Sequence, residues 1–188
     1  MTKEFHIKNM VCDRCIKILR LELEQQDIAV KQIELGRAEV ELNAEEDTKI
    51  VKRIVENNGF ELIEDADTIL VEDIKIELIK LLKNLPLTFS GTLSDYLASR
   101  VNQDYTKLSK LFSYNEKITI EKYFIKLKIE KVKELIQTKE YNFTEISQLL
   151  DYSNSGHLSN QFKSETGMSL TNYKALKQNF RNSLDQII

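Results

Sequence analysis

A chain of 188 residues, 41% hydrophobic and 30% charged, has room for one large globular domain or two small ones. No apolar run reaches membrane-spanning length, and Lys8 and the charges from Asp13 onward break up the N-terminus as a signal peptide, which points to a cytoplasmic protein with no membrane partner. The formal net charge is −3 but unevenly spread, with 13 Lys/Arg against 19 Asp/Glu in residues 1–91 and 14 against 11 in residues 92–188. A C-terminal half this modestly basic permits DNA contact while predicting weak, salt-sensitive non-specific affinity.

Taken in order, Phe5–Lys8 alternates apolar and polar residues, the period of a half-buried strand. Cys12 and Cys15, the only cysteines, follow in Met10-Val11-Cys12-Asp13-Arg14-Cys15. Ile16, Leu19 and Leu23 then recur at helical spacing to about Gln26. Residues 30–35 and 38–42 read as two strands around a turn at Gly36. A second helix from Thr48 carries Ile50, Val51, Ile54 and Val55 and stops at Asn57-Asn58-Gly59, and Phe60–Ile63 is a last strand. The order βαββαβ predicts a ferredoxin-like α+β domain over residues 1–66.

In a reducing compartment a Cys-x-x-Cys pair suggests metal or redox chemistry rather than a structural disulfide. Cys15 falls at or near a helix N-terminus, where the dipole favours thiolate, and Arg14 adds positive charge. Two soft thiolates suit Cu(I), which accepts low coordination, whereas Zn²⁺ favours four ligands and fits less well. Met10 is expected in the core, and His6 in a structural or solvated role. The alternative is a fold that has kept its thiols idle or redox-active.

Residues 3–66 resemble the heavy-metal-associated domain of copper chaperones and metal-pumping ATPases, through Met10-x-Cys12-x-x-Cys15, the element order and the Gly59-Phe60 pair. Asn9 stands where that family has Gly, and its Gly-Val after the first helix is absent. The resemblance implies metal binding at Cys12 and Cys15.

Asp65-Ala66-Asp67 marks the expected boundary, with residues 67–188 forming an all-α domain. A helix over residues 69–82, ended by Pro86 and Gly91, is assigned to that domain as its first. A helix-turn-helix over about 92–113 follows, with Thr92 or Ser94 capping its first helix and Asp104 capping the second. A long helix, about 121–138, links it to a second unit at 143–164. There the turn falls at Asp151–Tyr152–Ser153, Ser153 or Asn154 caps the second helix, and Leu158 and Phe162 face inward. The two units read as a repeat: Phe112 and Tyr123 recur as Phe162 and Tyr173 with the same spacing. A trailing helix is expected from Tyr173 to about Phe180.

Two helix-turn-helix units joined by one long helix resemble the AraC-type DNA-binding domain of bacterial transcription regulators over residues 70–178. The segments that carry it are Ile129–Ile136, Ile146–Ser153, and Phe162-Lys163-x-Glu165-Thr166-Gly167-Met168-Ser169 with Tyr173; Asp151 departs from the family's usual turn Gly. The resemblance implies a double helix-turn-helix on double-stranded DNA. It puts Thr106, Ser109 and Lys110 of one helix, and Gly156, His157 and Asn160 of the other, toward the major groove. Lys110 suits guanine or phosphate and Asn160 suits adenine, and Lys107 and Lys163 lie where phosphate contacts fall. Ser155 belongs to the same polar face.

With two His, no Gly-rich phosphate loop and no Ser/His/Asp set, an enzyme is not expected. The expectation is a DNA-binding regulator responding to a soft metal such as Cu(I), with a second copy of the chain as a further partner. The alternative is a cytosolic metal carrier whose helical half docks other proteins.

Overall fold

The computed structural model describes residues 1–88, 90–176 and 181–187. They form two compact units, residues 1–76 and 77–188, each taken by itself below.

The first unit opens with strand β1 (Thr2–Lys8), then helix α1 (Asp13–Glu24), strands β2 (Ala29–Glu34) and β3 (Arg37–Glu41), helix α2 (Glu46–Asn57) and strand β4 (Glu61–Ile63). The sheet order is β2-β3-β1-β4 with every pairing antiparallel. This is the ferredoxin-like βαββαβ arrangement that the element order predicts. Alternation along β1 sends Phe5 and Ile7 into the core, and the register sets Phe5 opposite Ala38. Leu19 and Leu23 of α1 and Val51, Ile54 and Val55 of α2 close that core at i, i+3 and i+4 spacing. The hairpin between β2 and β3 turns at Gly36, whose φ of +80° suits a residue without a Cβ. Space favours the same choice, because a Cβ there would overlap the end of the Ile76 side chain.

Ile76 belongs to helix α3 (Ala66–Lys83). The expected boundary at 66/67 is the start of this helix, whereas the compact units divide within it, at Ile76/Glu77. The reason lies in its contacts. A Glu72 carboxylate oxygen accepts the Asn9 amide at 3.1 Å, and Asp73 pairs with Arg37 at 3.4 Å. Its first turns therefore complete the N-terminal unit.

The second unit takes up the end of α3 and continues with helices α4 (Leu93–Val101), α5 (Tyr105–Glu116), α6 (Ile120–Thr138), α7 (Phe143–Leu149), α8 (Ser155–Thr166) and α9 (Leu170–Ala175). Each of these six is capped at its N-terminus by a side-chain oxygen: Thr92, Asp104, Thr119, Asn142, Asn154 and Ser169. Thr92 and Asn142 form full capping boxes with Asp95 and Glu145. The alternatives left open resolve to Thr92 and Asn154. The trailing helix ends at Ala175, and residues 177–180 lie outside the described ones.

The repeat is structural. Leu108 and Phe112 of α5 are fully buried, as are Leu158 and Phe162 of α8. The Phe112 and Tyr123 rings meet at 5.5 Å between centroids, and Phe162 and Tyr173 at 5.4 Å. Such tilted or edge-on pairs add to burial about 0.5–1.5 kcal/mol each. Among the described residues, no helix is long and apolar enough to cross a membrane.

Candidate thiol site and nucleic-acid interface

Met10 anchors the loop between β1 and α1; it is fully buried, as expected of a core residue. Asn9 precedes it with φ +70°, the left-handed conformation that Asn tolerates better than most non-glycine residues. Cys12 is the N-cap residue of α1, and its carbonyl accepts the Cys15 amide at 3.0 Å. That turn brings the two half-buried thiols together, with a hydrogen bond between their Sγ atoms of 3.0 Å.

The two sulfurs are not equivalent. Burial works to raise the Cys12 thiol, but hydrogen bonds from the Cys15 thiol and from the backbone of Cys15 and Arg14, with the Arg14 charge, hold it below the ordinary value. Burial raises the Cys15 thiol, which also donates to Cys12. His6 lies on β1 with its Nε2 3.3 Å from Glu4 Oε1, a strand-surface contact. Among the described residues, no group of three or more His, Cys, Asp and Glu comes together as a metal cluster. The donor set is therefore a convergent pair of soft thiols, which fits an ion content with two ligands and does not fit tetrahedral Zn²⁺ unaided.

In the second unit, α4 and α7 each precede a tight turn. Asn102 makes the first at φ +53° and Asp151 the second at φ +54°. Asp151 thus does adopt the conformation that suits the Gly for which it stands. The Tyr152 amide returns to the Ser147 carbonyl at 2.8 Å and fixes the exit from the turn. On α5, Thr106, Lys107 and Lys110 are exposed and Ser109 is half-buried. On α8, Gly156, His157, Asn160 and Lys163 are exposed and Ser155 is half-buried. Thr106, Lys107 and Lys110 on α5, and Gly156, His157, Asn160 and Lys163 on α8, point away from the Leu and Phe anchors, whereas Ser109 and Ser155 lie toward the anchored side, which corrects the expectation that they share the polar face.

Local contacts order these side chains. Lys107 Nζ donates to Gln103 at 3.2 Å, and the His157 Nδ1 hydrogen-bonds with Ser153 Oγ at 3.2 Å. Gly156 has a local reason to lack a side chain: a Cβ there would stand 3.1 Å from the Asn154 oxygen that caps the helix through the His157 amide. Lys122 at the start of α6 pairs with Glu165 of α8 at 2.6 Å.

The structure adds residues that periodicity did not single out. Lys128 of α6 places its Nζ 3.8 Å from the centroid of the buried Tyr152 ring. Burial pushes the Lys128 amine down to about 8, with the Asp151 charge pulling the other way. Tyr114 continues the exposed side of α5, 76% exposed, with Lys117 Nζ 4.8 Å from its ring centroid. Glu77 takes hydrogen bonds from Arg100 at 2.9 Å, Lys80 at 3.1 Å and Tyr96 at 3.2 Å. Burial works to raise the Glu77 carboxyl, but Arg100 and Lys80 hold it below its usual range. Lone ions amid apolar residues, such as Lys128 between Leu127 and Ile129, were the available signal in the sequence.

Residues 97–175 match the family model described as a helix-turn-helix domain. Among solved structures, the C-terminal domain of AraT, a response regulator from Geobacillus stearothermophilus, is similar at 20% identity and a TM-score of 0.49, covering 60% of this chain and 91% of that one. No curated protein matches the chain.

Proposed function

We propose that the chain is a sequence-specific DNA-binding transcription regulator whose Cys12–Cys15 pair takes up a soft metal ion, Cu(I) in preference to Zn²⁺. The observation that carries DNA reading is the duplication within the helix-turn-helix domain. Helices α5 and α8 are anchored by the same apolar pattern, capped in the same way and braced by the same ring pair. Each turns a polar face outward, which is what a helix needs to enter a major groove. On this reading the two helices occupy successive major grooves on one DNA face, about 34 Å apart. Lys110 and Asn160 read base edges, with Thr106 and His157 beside them, while Lys107 and Lys163 hold phosphate.

The metal proposal is supported by the two half-buried thiols meeting at 3.0 Å at the start of α1. When bound, a soft ion would supply positive charge at the N-terminus of α1. Cys12 and Cys15 hold it, and the left-handed Asn9 and buried Met10 fix the loop that presents them. The test is a fluorescence-anisotropy titration against genomic fragments with and without Cu(I), repeated with Cys12→Ser. The expected outcome is specific binding whose affinity changes with Cu(I) in the wild type only. Unchanged affinity removes the sensing role and leaves DNA binding in place.

A second reading, a cytosolic metal carrier with a docking module, is favoured by one feature: none of the residues on these two polar faces is Arg. Absence of specific DNA binding at low salt selects it.

A further inference from the structure

The contact that singles itself out lies behind α8 rather than on it. The Lys128 ammonium stands 3.8 Å from the Tyr152 ring centroid and 5.9 Å from that of Phe124. The Tyr152 ring is only 7% exposed and meets the His157 ring edge-on, with centroids 5.6 Å apart and planes at 89°. His157 itself is exposed on α8 and tied to Ser153. An α6 cation, a buried ring and an exposed imidazole therefore form one continuous chain of contacts. The Tyr152 hydroxyl is buried without a hydrogen-bond partner among the described residues, so the ring rather than the hydroxyl makes this connection. Half-burying the Lys128 ammonium is unfavourable unless something offsets it, and the face of an aromatic ring is one such partner.

We propose that Lys128 is a positioning residue for DNA reading: by bearing on the inner side of Tyr152 it fixes the His157 imidazole, so that discrimination at one base pair depends on a side chain that never meets DNA. This rests on the reading of α8 as a groove-entering helix. The physical basis is that a base contact needs its side chain held to a fraction of an ångström, and a buried, packed neighbour supplies that where an exposed imidazole alone does not. The Phe124 ring centroid lies 5.9 Å from the Lys128 ammonium, and the Tyr152 amide donating to the Ser147 carbonyl at 2.8 Å fixes the backbone from which the ring projects.

The test uses the full chain. Wild type, His157→Ala, Lys128→Met and Lys128→Arg are each bound to a pool of duplexes randomised across the binding site, and the retained DNA is sequenced. One base-pair preference is expected to vanish in His157→Ala, to weaken about fivefold in Lys128→Met and to return in Lys128→Arg, with the other positions unchanged. Tyr152→Phe, which keeps the ring, retains the preference. In the DNA-free protein the His157 imidazole resonances, identified by their loss in His157→Ala, shift in Lys128→Met and return toward wild type in Lys128→Arg. If Lys128→Met does not fold, Lys128→Gln carries the same comparison.

A Lys128 variant that is folded and keeps both the preference and the resonances overturns the proposal. A set of preferences untouched by His157→Ala overturns it while leaving DNA reading in place. A wild type without sequence preference overturns both.

Discussion

The Asn9 amide donates to a Glu72 carboxylate oxygen at 3.1 Å, so a buried side chain of α3 holds the loop that carries the thiols. Removing the acceptor leaves a part-buried donor unsatisfied, which costs about 1–3 kcal/mol. Glu72→Ala should lower the urea midpoint of the full chain accordingly. Asn9→Gly should match or exceed wild type, because Gly adopts φ +70° without steric cost, whereas Asn9→Ala should lose about 1 kcal/mol. Equal midpoints for Asn9→Ala and Asn9→Gly would remove backbone conformation as the reason for Asn at this position.

Cys12 and Cys15 should react in a fixed order. The Cys12 thiol is held below its ordinary value and that of Cys15 is pushed above it, so near neutral pH Cys12 carries more of the reactive thiolate. Brief treatment with iodoacetamide followed by peptide mass spectrometry should find the first label on Cys12. A first label on Cys15 contradicts the assignment.

Lys128 predicts a stability that depends on alkaline pH. Its folded value is near 8, below the ordinary lysine value, so between about pH 8 and 10.5 the unfolded chain binds more protons than the folded one. Stability therefore rises with pH across that window, by about 2 kcal/mol once the ring contact, which favours the cation, is set against burial. Urea midpoints measured at intervals through the window should climb in wild type relative to Lys128→Met. Parallel curves would show that the amine titrates normally in the folded protein.

Lys107 is exposed at the start of α5 and is proposed to meet phosphate. Lys107→Gln should weaken binding alike for preferred and scrambled duplexes and reduce the salt slope of log K by about 1. Lys110→Gln, by contrast, should also narrow the gap between preferred and scrambled DNA. A Lys107 variant that changes base preference would move that residue from the phosphate to the base edge.

Much of this architecture was legible in the sequence because it rests on local rules. Alternation in β1, helical spacing in α1 and α2, and Asn, Asp and Thr before apolar runs gave the element order and the caps of α4, α5 and α8, while Thr119, Asn142 and Ser169 were not singled out. The repeat of Phe112 and Tyr123 as Phe162 and Tyr173 was legible as spacing and is realised as two ring contacts. What was not legible depends on contacts distant in sequence. Helix α3 has Ile74 and Leu78 buried but also Val71, Ile76 and Ile79, which do not lie on one stripe, and its Glu72 and Glu77 are buried as well. A helix divided between two compact units presents no single apolar face, and the expected boundary therefore differs from the division at Ile76/Glu77. The pairing of Lys128 with Tyr152 was invisible for a similar reason, since only the fold brings a cation in α6 beneath a turn after α7.

Helix α6 runs for 19 residues and is clamped to α8 at its start by Lys122 and Glu165. At 1.5 Å per residue it is a strut of about 28 Å, and each residue along it advances the chain by about 100° of rotation. It therefore acts as a ruler. One residue inserted in the middle of α6 would leave both polar faces intact, yet turn the second out of phase with the first. On the proposed reading, in which the two faces meet one side of a double helix, the permitted distance between those two points is written into the length of α6.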